Sequence, residues 1–351
     1  MTLVDTISLR PGYDISRIIH GGWQLAGGHG PINRAVAVAD LDAFCEAGIS
    51  TFDCADIYTG VEELIGAFRA DYGHRHGAEA LGRIKVHTKC VPDLARLRDV
   101  DRTYIRAIAD TSLKRLRAER LDLVQFHWWD YDVPGYVEVA GWLSEMQREG
   151  KIDRIGGTNF DTPRSAELVA AGVDLVSLQV QYSLIDNRPE HALVDFCRRN
   201  RVYLLCYGTV AGGFLSDRWL GAPEPQPPFD NRSLTKYKLV IDDFGGWDLF
   251  QDLLHVLRGI ADRHNTDISS IASRAILDRN MVAAVIVGAR NRRHLAANAG
   301  VTAFRLNAAD HAEIDAVIGR RQGPEGDTFA LERDRSGRHG SIMKYNLNQV
   351  A

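Results

Sequence analysis

Short runs of β-branched and aromatic residues alternate along the chain with longer stretches of helical periodicity. This pattern occurs eight times, and each predicted strand is followed by a predicted helix. The predicted strands cover residues 18–26, 49–55, 84–90, 121–129, 154–160, 175–183, 202–209 and 283–289.

The spacing of these units predicts the fold class. Successive strands with a helix between them form parallel, right-handed crossovers, and eight such units favour a closed (β/α)8 TIM barrel. An open, doubly wound sheet is the alternative, but "GGWQLAGGHG" after the first strand lacks the G-x-G-x-x-G spacing. We predict one domain over residues 1–351, with the barrel at about 16–300 and a C-terminal helix and tail at 301–351.

Two segments lie outside the eight units. Residues 216–246 concentrate prolines and polar residues, which predicts a long loop after the seventh strand. Near the C-terminus, residues 307–322 predict a helix, and residues 320–351 form a charged tail. For the tail we expect either a specificity or assembly role or a plain surface arm.

Composition and charge favour small molecules as partners. The chain has 46 acidic and 42 basic residues and no long run of Lys and Arg, so we expect neither nucleic-acid nor membrane binding. Neither a signal-type N-terminus nor an apolar run long enough for a bilayer is present, which predicts a cytoplasmic protein. Its five cysteines include no C-x-x-C pair, so we expect reduced thiols and no metal site.

Polar residues follow the second and third predicted strands at the end where a barrel carries its chemistry. Asp53 ends a buried strand, and a buried carboxylate is costly without a partner. Lys89, at the end of the next strand, is the expected partner, and it would lie within reach of Tyr58. A nearby ammonium lowers the pKa of a phenol, so Tyr58 is predicted to be a general acid.

Later strands end in groups that suit a carbonyl compound and a nicotinamide. His127, if neutral and donating a hydrogen bond, would hold and polarise a carbonyl oxygen. Thr158, Asn159 and Gln179 would bind a carboxamide, and the ring of Tyr207 would stack on the nicotinamide. Each of these residues has an ordinary structural explanation as a cap, an ion pair or a core residue. Their arrival at consecutive strand ends argues for a site.

Several motifs resemble those of the aldo-keto reductases, from about residue 16 to residue 318. "TFDCADIYTGVEELIG" resembles the family's F-D-T-A-x-x-Y-G and E-x-x-[LI]-G, while "VHTKC", "LDLVQFHWWD", "GKIDRIGGTNF" and "LQVQYSLID" resemble its later strand-end motifs. The resemblance implies a catalytic tetrad of Asp53, Tyr58, Lys89 and His127. It also implies nicotinamide-dependent reduction of an aldehyde or ketone, or oxidation of the matching alcohol or sugar.

The resemblance extends to a cofactor site. "VIVGARNRRHLAANAG" is similar to the family segment that binds the adenosine phosphate, although His294 and Ala297 depart from its usual pattern. The arginines of this segment favour NADP over NAD, because forked donors suit a 2′-phosphate. The expected cofactor-binding residues are Gly22, Trp23, Asp53, Thr158, Asn159, Gln179, Tyr207, Gly208, Gly212, Gly288, Arg290 and Asn298.

Substrate identity, reaction direction and oligomeric state are not encoded in these patterns. Trp23, Trp128 and Trp129 would form an aromatic wall for a sugar or ring compound, or would simply pack in the core. A regulatory or accessory subunit that binds the cofactor with little turnover is the alternative function. A metal hydrolase is disfavoured because no H-x-H or H-x-x-x-D pair follows a strand.

Overall fold

Eight parallel strands close into a barrel in the computed structural model, which describes residues 4–26 and 32–344. The strands run in chain order around the barrel, and the last one pairs with the first. All eight predicted strands are confirmed, and with them the (β/α)8 class. They are β3 (Ile18–Gly21), β4 (Thr51–Asp53), β5 (Lys85–Cys90), β6 (Leu121–Phe126), β7 (Ile152–Thr158), β8 (Leu175–Gln181), β9 (Tyr203–Tyr207) and β10 (Val282–Gly288).

Helices surround the barrel and continue into the C-terminal tail. Within the described ranges, no helix is both long and apolar enough to cross a bilayer. The helices are α1 (Arg34–Glu46), α2 (Val61–Arg83), α3 (Arg102–Leu116), α4 (Tyr136–Arg148), α5 (Thr162–Ala170), α6 (Leu193–Asn200), α7 (Arg232–Phe244), α8 (Gly246–Arg263), α9 (Ile268–Leu277), α10 (Leu295–Gly300), α11 (Ala308–Ile318) and α12 (Ala330–Arg333).

An N-terminal hairpin closes the end of the barrel where the strands begin. It consists of β1 (Thr6–Arg10) and β2 (Tyr13–Ser16), which pair antiparallel. Leu9, Tyr13 and Ile15 are buried against apolar residues of the barrel strands, including Leu123 and Leu205. The sequence analysis missed this hairpin. Because this end is filled with apolar side chains, polar chemistry is confined to the opposite end.

Side-chain caps fix the starts of three helices that the sequence predicted. Asp101 accepts a hydrogen bond from the Tyr104 amide at the start of α3, and Asp161 caps α5 just before Pro163. Asn307 and Asp310 form a capping box at α11. Each cap satisfies amides that a helix end would otherwise leave unpaired.

The predicted loop at 216–246 is wrong in its second half, which folds as α7. Asn231 caps this helix by accepting a hydrogen bond from the Leu234 amide at 3.1 Å. Tyr237, Ile241 and Phe244 are buried at helical spacing. The prolines lie before the helix and do not interrupt it. The N-cap and the helical spacing of apolar residues therefore predict this segment better than its polar composition does.

Helices α2 and α3 cross at close range over Gly66. A Cβ atom at this position would lie 2.1 Å from the carbonyl oxygen of Arg115 and 3.0 Å from the backbone of Leu116. Backbone atoms cannot yield as a flexible side chain does, so only glycine allows this approach.

Gly66→Ala is therefore expected to lower the free energy of unfolding by about 2 kcal/mol, the usual cost of overpacking a core. Gly82→Ala is the matched control, because Gly82 lies in the last turn of α2, beyond a kink at Gly77, with open space around its Cβ position. The control should be neutral or stabilising by about 0.5 kcal/mol. Urea unfolding followed by circular dichroism measures both variants, and equal stability of the two would contradict the close crossing.

Candidate active site

A buried ion pair lies inside the barrel at the carboxyl ends of β4 and β5. Lys89 Nζ is 2.7 Å from Asp53 Oδ2, and the two side chains are each only 6% exposed. The same ammonium donates to the carbonyl oxygen of Cys54 at 2.8 Å. The partner expected for Asp53 is thus the one that the structure provides, and each charge offsets the desolvation of the other.

Two amide side chains hold the second oxygen of Asp53. Gln125 Nε2 and Gln179 Nε2 donate to Oδ1 at 2.8 and 2.6 Å, and Gln179 also donates to Gln125 Oε1 at 2.9 Å. Both amide hydrogens of Gln179 are therefore used within the protein, which leaves its Oε1 as the atom that would accept a hydrogen bond from a carboxamide. Gln125 was missed, although it lies two residues before His127 and so faces the same side of its strand.

Tyr58 is held beside the ammonium by the turn between β4 and α2. Its amide donates to the Ala55 carbonyl at 3.0 Å, and its ring centroid is 5.0 Å from Lys89 Nζ. Burial raises the pKa of Tyr58, while the charge of Lys89 and a hydrogen bond from it act in the opposite direction. The predicted lowering by Lys89 is present, but the net shift is upward because burial is the larger effect.

Lys89 itself stays charged. Burial acts to lower its pKa, but the charge of Asp53 and the hydrogen bond to it outweigh burial, and the pKa lies above its ordinary value. An ammonium ion therefore faces the phenol throughout the neutral pH range.

His127 is a neutral ring with a fixed tautomer. Burial and the charge of Arg333 lower its pKa to about 3, against a hydrogen bond with Thr158 that raises it. Nδ1 lies 3.0 Å from the carbonyl oxygen of Thr158, which can only accept, so Nδ1 carries the proton. Nε2 is buried and has no hydrogen-bond partner among the described residues. In the neutral ring this atom is an acceptor, so the predicted donation to a carbonyl is wrong for this state.

Tyr207 and Asn159 lie together at the mouth of the barrel. Tyr207 Oη donates to Asn159 Oδ1 at 2.9 Å, and Asn159 adopts a left-handed conformation with φ of 60°. The ring of Tyr207 is partly exposed, as a stacking surface for a planar ring must be. Thr158, whose carbonyl binds His127, is the residue before Asn159, so one short segment serves both groups.

Two glycines of the expected cofactor-binding set are packed against a tyrosine. A Cβ on Gly208 would lie 2.1 Å from Tyr237 Oη, and one on Gly212 would lie 2.7 Å from the same ring. Both have positive φ. Tyr237 of α7 therefore fills the Cβ side of both glycines, and their role in cofactor binding stays a prediction.

Two glycines near the ends of the first and last barrel strands are also closely packed. Gly22 donates its amide to the Asp53 carbonyl at 2.7 Å, and a Cβ there would meet the same oxygen at 2.7 Å. A Cβ on Gly288 would meet the side chain of Gln24 at 2.2 Å. Both glycines therefore have a packing reason as well as a predicted cofactor role.

The segment after β10 carries the cations predicted for a phosphate. Arg292 Nε is 3.6 Å from Asp40, and Asn291 caps the short helical turn at Arg292–His294. Asn298 Nδ2 is buried and has no partner within the part of the chain that the structure describes. This buried donor lies in α10, a few residues after Arg290 and Arg292, and is consistent with a polar ligand at this end of the strand.

The three tryptophans proposed as a substrate wall separate into two groups. Trp23 packs edge-on against Tyr58 at 5.2 Å, and Trp129 packs edge-on against His127 at 4.4 Å between ring centroids. Trp128 matches the alternative of core packing: it is fully buried and donates from Nε1 to the Val133 carbonyl at 2.9 Å. For Trp23 and Trp129, beside Tyr58 and His127, the substrate wall stays a prediction.

The C-terminal tail reaches this site, through residues that the sequence analysis did not identify. The ring of Phe329 lies edge-on to His127 at 5.9 Å, and Arg333 donates to the carbonyl oxygens of Trp129 and Asn159, both at 2.8 Å. The tail therefore packs at the mouth, which contradicts the expectation of a plain surface arm. Residues 345–351 lie outside the described part.

Comparison with known proteins identifies the family. The model of the Aldo/keto reductase family matches residues 17–319, and the chain belongs to this family. Its members are oxidoreductases that act on carbonyl and alcohol groups with nicotinamide cofactors.

Individual relatives agree with this assignment. The aldo-keto reductase YhdN of Bacillus subtilis is 26% identical over 317 residues, covering 88% of this chain and 91% of that protein. The NADH-specific methylglyoxal reductase of Escherichia coli is 25% identical, covering 91% and 96%. The structure of the glycerol dehydrogenase AKR11B4 from Gluconobacter oxydans superimposes with a TM-score of 0.76 at 23% identity, covering 93% and 98% of the two chains. This last likeness concerns the fold.

Removing the charge of Asp53 should destabilise the protein strongly. Asp53→Asn leaves the Lys89 ammonium buried without its counter-ion, and we expect a loss of about 3 kcal/mol in the free energy of unfolding. Asp174→Asn is the control: it removes an ion pair with Arg10 in which Asp174 is 60% exposed, and it should cost less than about 1 kcal/mol. Urea unfolding compares the two, and a small loss in both would show that the buried pair is not needed for stability.

Proposed function

We propose that this protein transfers a hydride between NADP(H) and a small aldehyde or ketone, or the matching alcohol or sugar, with Tyr58 as the general acid and base. The observation that carries the proposal is the position of the Lys89 ammonium, anchored by Asp53 at 2.7 Å and 5.0 Å from the ring of Tyr58. A phenol beside a permanent cation can give up a proton and be stabilised as the phenolate.

The residues divide the work as follows. In reduction, Tyr58 gives its proton to the carbonyl oxygen as the carbon accepts the hydride that the nicotinamide supplies. The charge of Lys89 then stabilises the phenolate, and Asp53 keeps Lys89 in place. Once Tyr58 has taken up a new proton, the hydroxyl of the alcohol can donate to Nε2 of His127, because the neutral ring has its proton on Nδ1.

The proposed cofactor site follows the strand ends around the barrel. Tyr207 offers a partly exposed ring for stacking, and the Thr158–Asn159 segment offers polar atoms to the carboxamide. Gln179 contributes by holding Asp53. The arginines after β10 favour a 2′-phosphate, hence NADP. The relatives include an NADH-specific reductase, so NADPH and NADH belong in every assay.

A cofactor-binding accessory subunit with little turnover is the second candidate. Such a subunit would need the residues that bind the cofactor, but it would not need the Asp53–Lys89 ion pair next to Tyr58. The buried Asp53, Lys89, Gln125 and Gln179 cluster is costly to assemble, and this observation favours an enzyme. Tight cofactor binding without turnover on a broad panel of carbonyls and alcohols would favour the accessory subunit.

Tyr58→Phe should abolish the proton transfer while leaving the cofactor bound. We expect the turnover number to fall by at least about a hundredfold, the usual contribution of a general acid. The dissociation constant of the cofactor, measured by calorimetry, should change little. Tyr72→Phe is the control, because Tyr72 is a tyrosine of α2 packed against Phe68 and His76. Undiminished turnover in Tyr58→Phe, followed at the absorbance of the reduced nicotinamide, would refute the assignment.

The pH dependence should differ between the two directions. The pKa of Tyr58 is raised above its ordinary value near 10, so the phenol is protonated at neutral pH. Reduction uses the protonated form and should stay constant from about pH 6 to pH 9, then fall as pH passes that pKa. Oxidation uses the phenolate, so its rate should rise with pH from about pH 6 until the pKa of Tyr58 is reached.

His127 adds no titration to this window, because its pKa lies at about 3. Stopped-flow measurement of single turnovers in both directions tests the prediction. A bell-shaped reduction profile centred near neutrality, which disappears in His127→Asn, would contradict it.

A further inference from the structure

The α12 segment of the C-terminal tail is anchored in the barrel mouth by an ion-pair cluster. Glu332 receives two hydrogen bonds from Arg188, at 2.9 and 3.1 Å, and lies 3.5 Å from Lys236. Arg188 in turn binds Asp186 at 2.8 Å, and Arg188, Asp186 and Glu332 are all at most 2% exposed. The charges of Arg188 and Lys236 offset those of Asp186 and Glu332. This cluster alone is enough to hold the tail at the mouth.

The neighbouring Arg333 makes a different set of contacts. Nη1 donates to the carbonyl oxygens of Trp128 and Trp129 at 2.5 and 2.8 Å. Nη2 donates to Tyr131 Oη and to the carbonyl oxygen of Asn159, both at 2.8 Å. The guanidinium carbon lies 3.8 Å above the centroid of the Tyr131 ring.

These acceptors lie in the two segments that hold His127. Trp128 and Trp129 follow His127 directly, and Asn159 follows Thr158, whose carbonyl fixes the tautomer of the His127 ring. One guanidinium thus links the backbone that carries the imidazole to the backbone that orients it. Only a planar group with several donors can span both segments, since an ammonium is a point charge.

The contacts of Arg333 go beyond what fastening the tail requires. Its hydrogen bonds go to neutral oxygens rather than to a carboxylate, and burial makes such a cation costly. The Glu332 cluster already provides attachment. The arrangement therefore points to a role at the mouth, where Phe329 of the same segment also packs edge-on to His127.

We propose that Arg333 is a positioning residue for the oxidoreductase reaction: it links the backbones after β6 and β7 and so holds the His127 ring at the angle that turnover requires. The inference rests on the proposed function, because it assigns His127 to the reacting oxygen. Arg333 acts through His127 and Asn159.

The test compares Arg333→Met, Arg333→Lys and Arg333→Ala with Arg320→Met. Arg320 pairs with Asp252 on the surface and is 60% exposed, so its variant makes the same chemical change away from the mouth. We expect the turnover number of the Met and Lys variants to fall by about tenfold to a hundredfold, as small misplacements of reacting groups do. The cofactor dissociation constant should change less than the turnover number, and Arg320→Met should match the parent protein.

Two further readouts separate positioning from general stability. Guanidinium ion at low concentration should restore part of the turnover of Arg333→Ala and none of that of Arg320→Met. The ¹⁵N NMR spectrum of histidine-labelled protein, assigned with His127→Asn, should lose the protected Nδ1–H signal of His127 in Arg333→Met. This second readout requires no turnover.

The outcomes are distinct. Turnover and NMR spectra in the Arg333 variants that equal those of Arg320→Met would overturn the positioning role. Loss of the folded state in every Arg333 variant would overturn it as well, because the residue would then be structural. A parent protein without turnover would refute the proposed function, and the NMR comparison would still decide whether Arg333 holds the imidazole.

Discussion

The buried pair of Asp53 and Lys89 imposes the strongest constraint on this structure. Two full charges at 2.7 Å inside a barrel are tolerated only when every remaining polar atom around them is also satisfied. Gln125, Gln179 and the Cys54 carbonyl meet that demand. These five residues belong to β4, β5, β6 and β8 or directly follow them, and a closed barrel with parallel strands brings their carboxyl ends to one place. The apolar hairpin at the other end keeps water from that side of the core.

Burial, together with this ion pair, decides the protonation states at the mouth. Lys89 remains an ammonium because Asp53 outweighs its burial, and the phenol of Tyr58 remains protonated because burial outweighs Lys89. His127 remains neutral with its proton on Nδ1. The resting site therefore offers one acidic proton and one imidazole acceptor. An alcohol hydroxyl matches the imidazole and a carbonyl oxygen matches the phenol, so the same resting state accommodates both forms of the proposed substrate.

The sequence was sufficient to predict the features that depend on local residue patterns and on positions at strand ends. Short runs of β-branched and aromatic residues between helical stretches predicted all eight barrel strands, and strand ends predicted the contact of Asp53 with Lys89. The period of two along β6 would also have identified Gln125, and the cap at Asn231 would have identified α7. Arg333 was beyond reach, because its contacts lie 174 to 205 residues away in the chain and follow no periodic pattern. Net pKa directions were equally hidden, since burial, which decides the sign for Tyr58, is a property of the folded chain.

The arrangement of the tail sharpens the choice between an enzyme and a binding subunit. A subunit that only retained a cofactor would gain from covering the mouth, and Phe329 with the Glu332 cluster achieves that without Arg333. It would gain nothing from an imidazole locked in one tautomer, nor from a guanidinium buried among neutral oxygens to fix the backbone on both sides of that imidazole. Burying polar groups to orient the His127 ring costs free energy. That cost is explained if the ring contacts a reacting atom, because catalysis depends on its position. The residues that are costly to bury are therefore those that a catalytic reaction requires. This favours an enzyme over a subunit that only binds the cofactor.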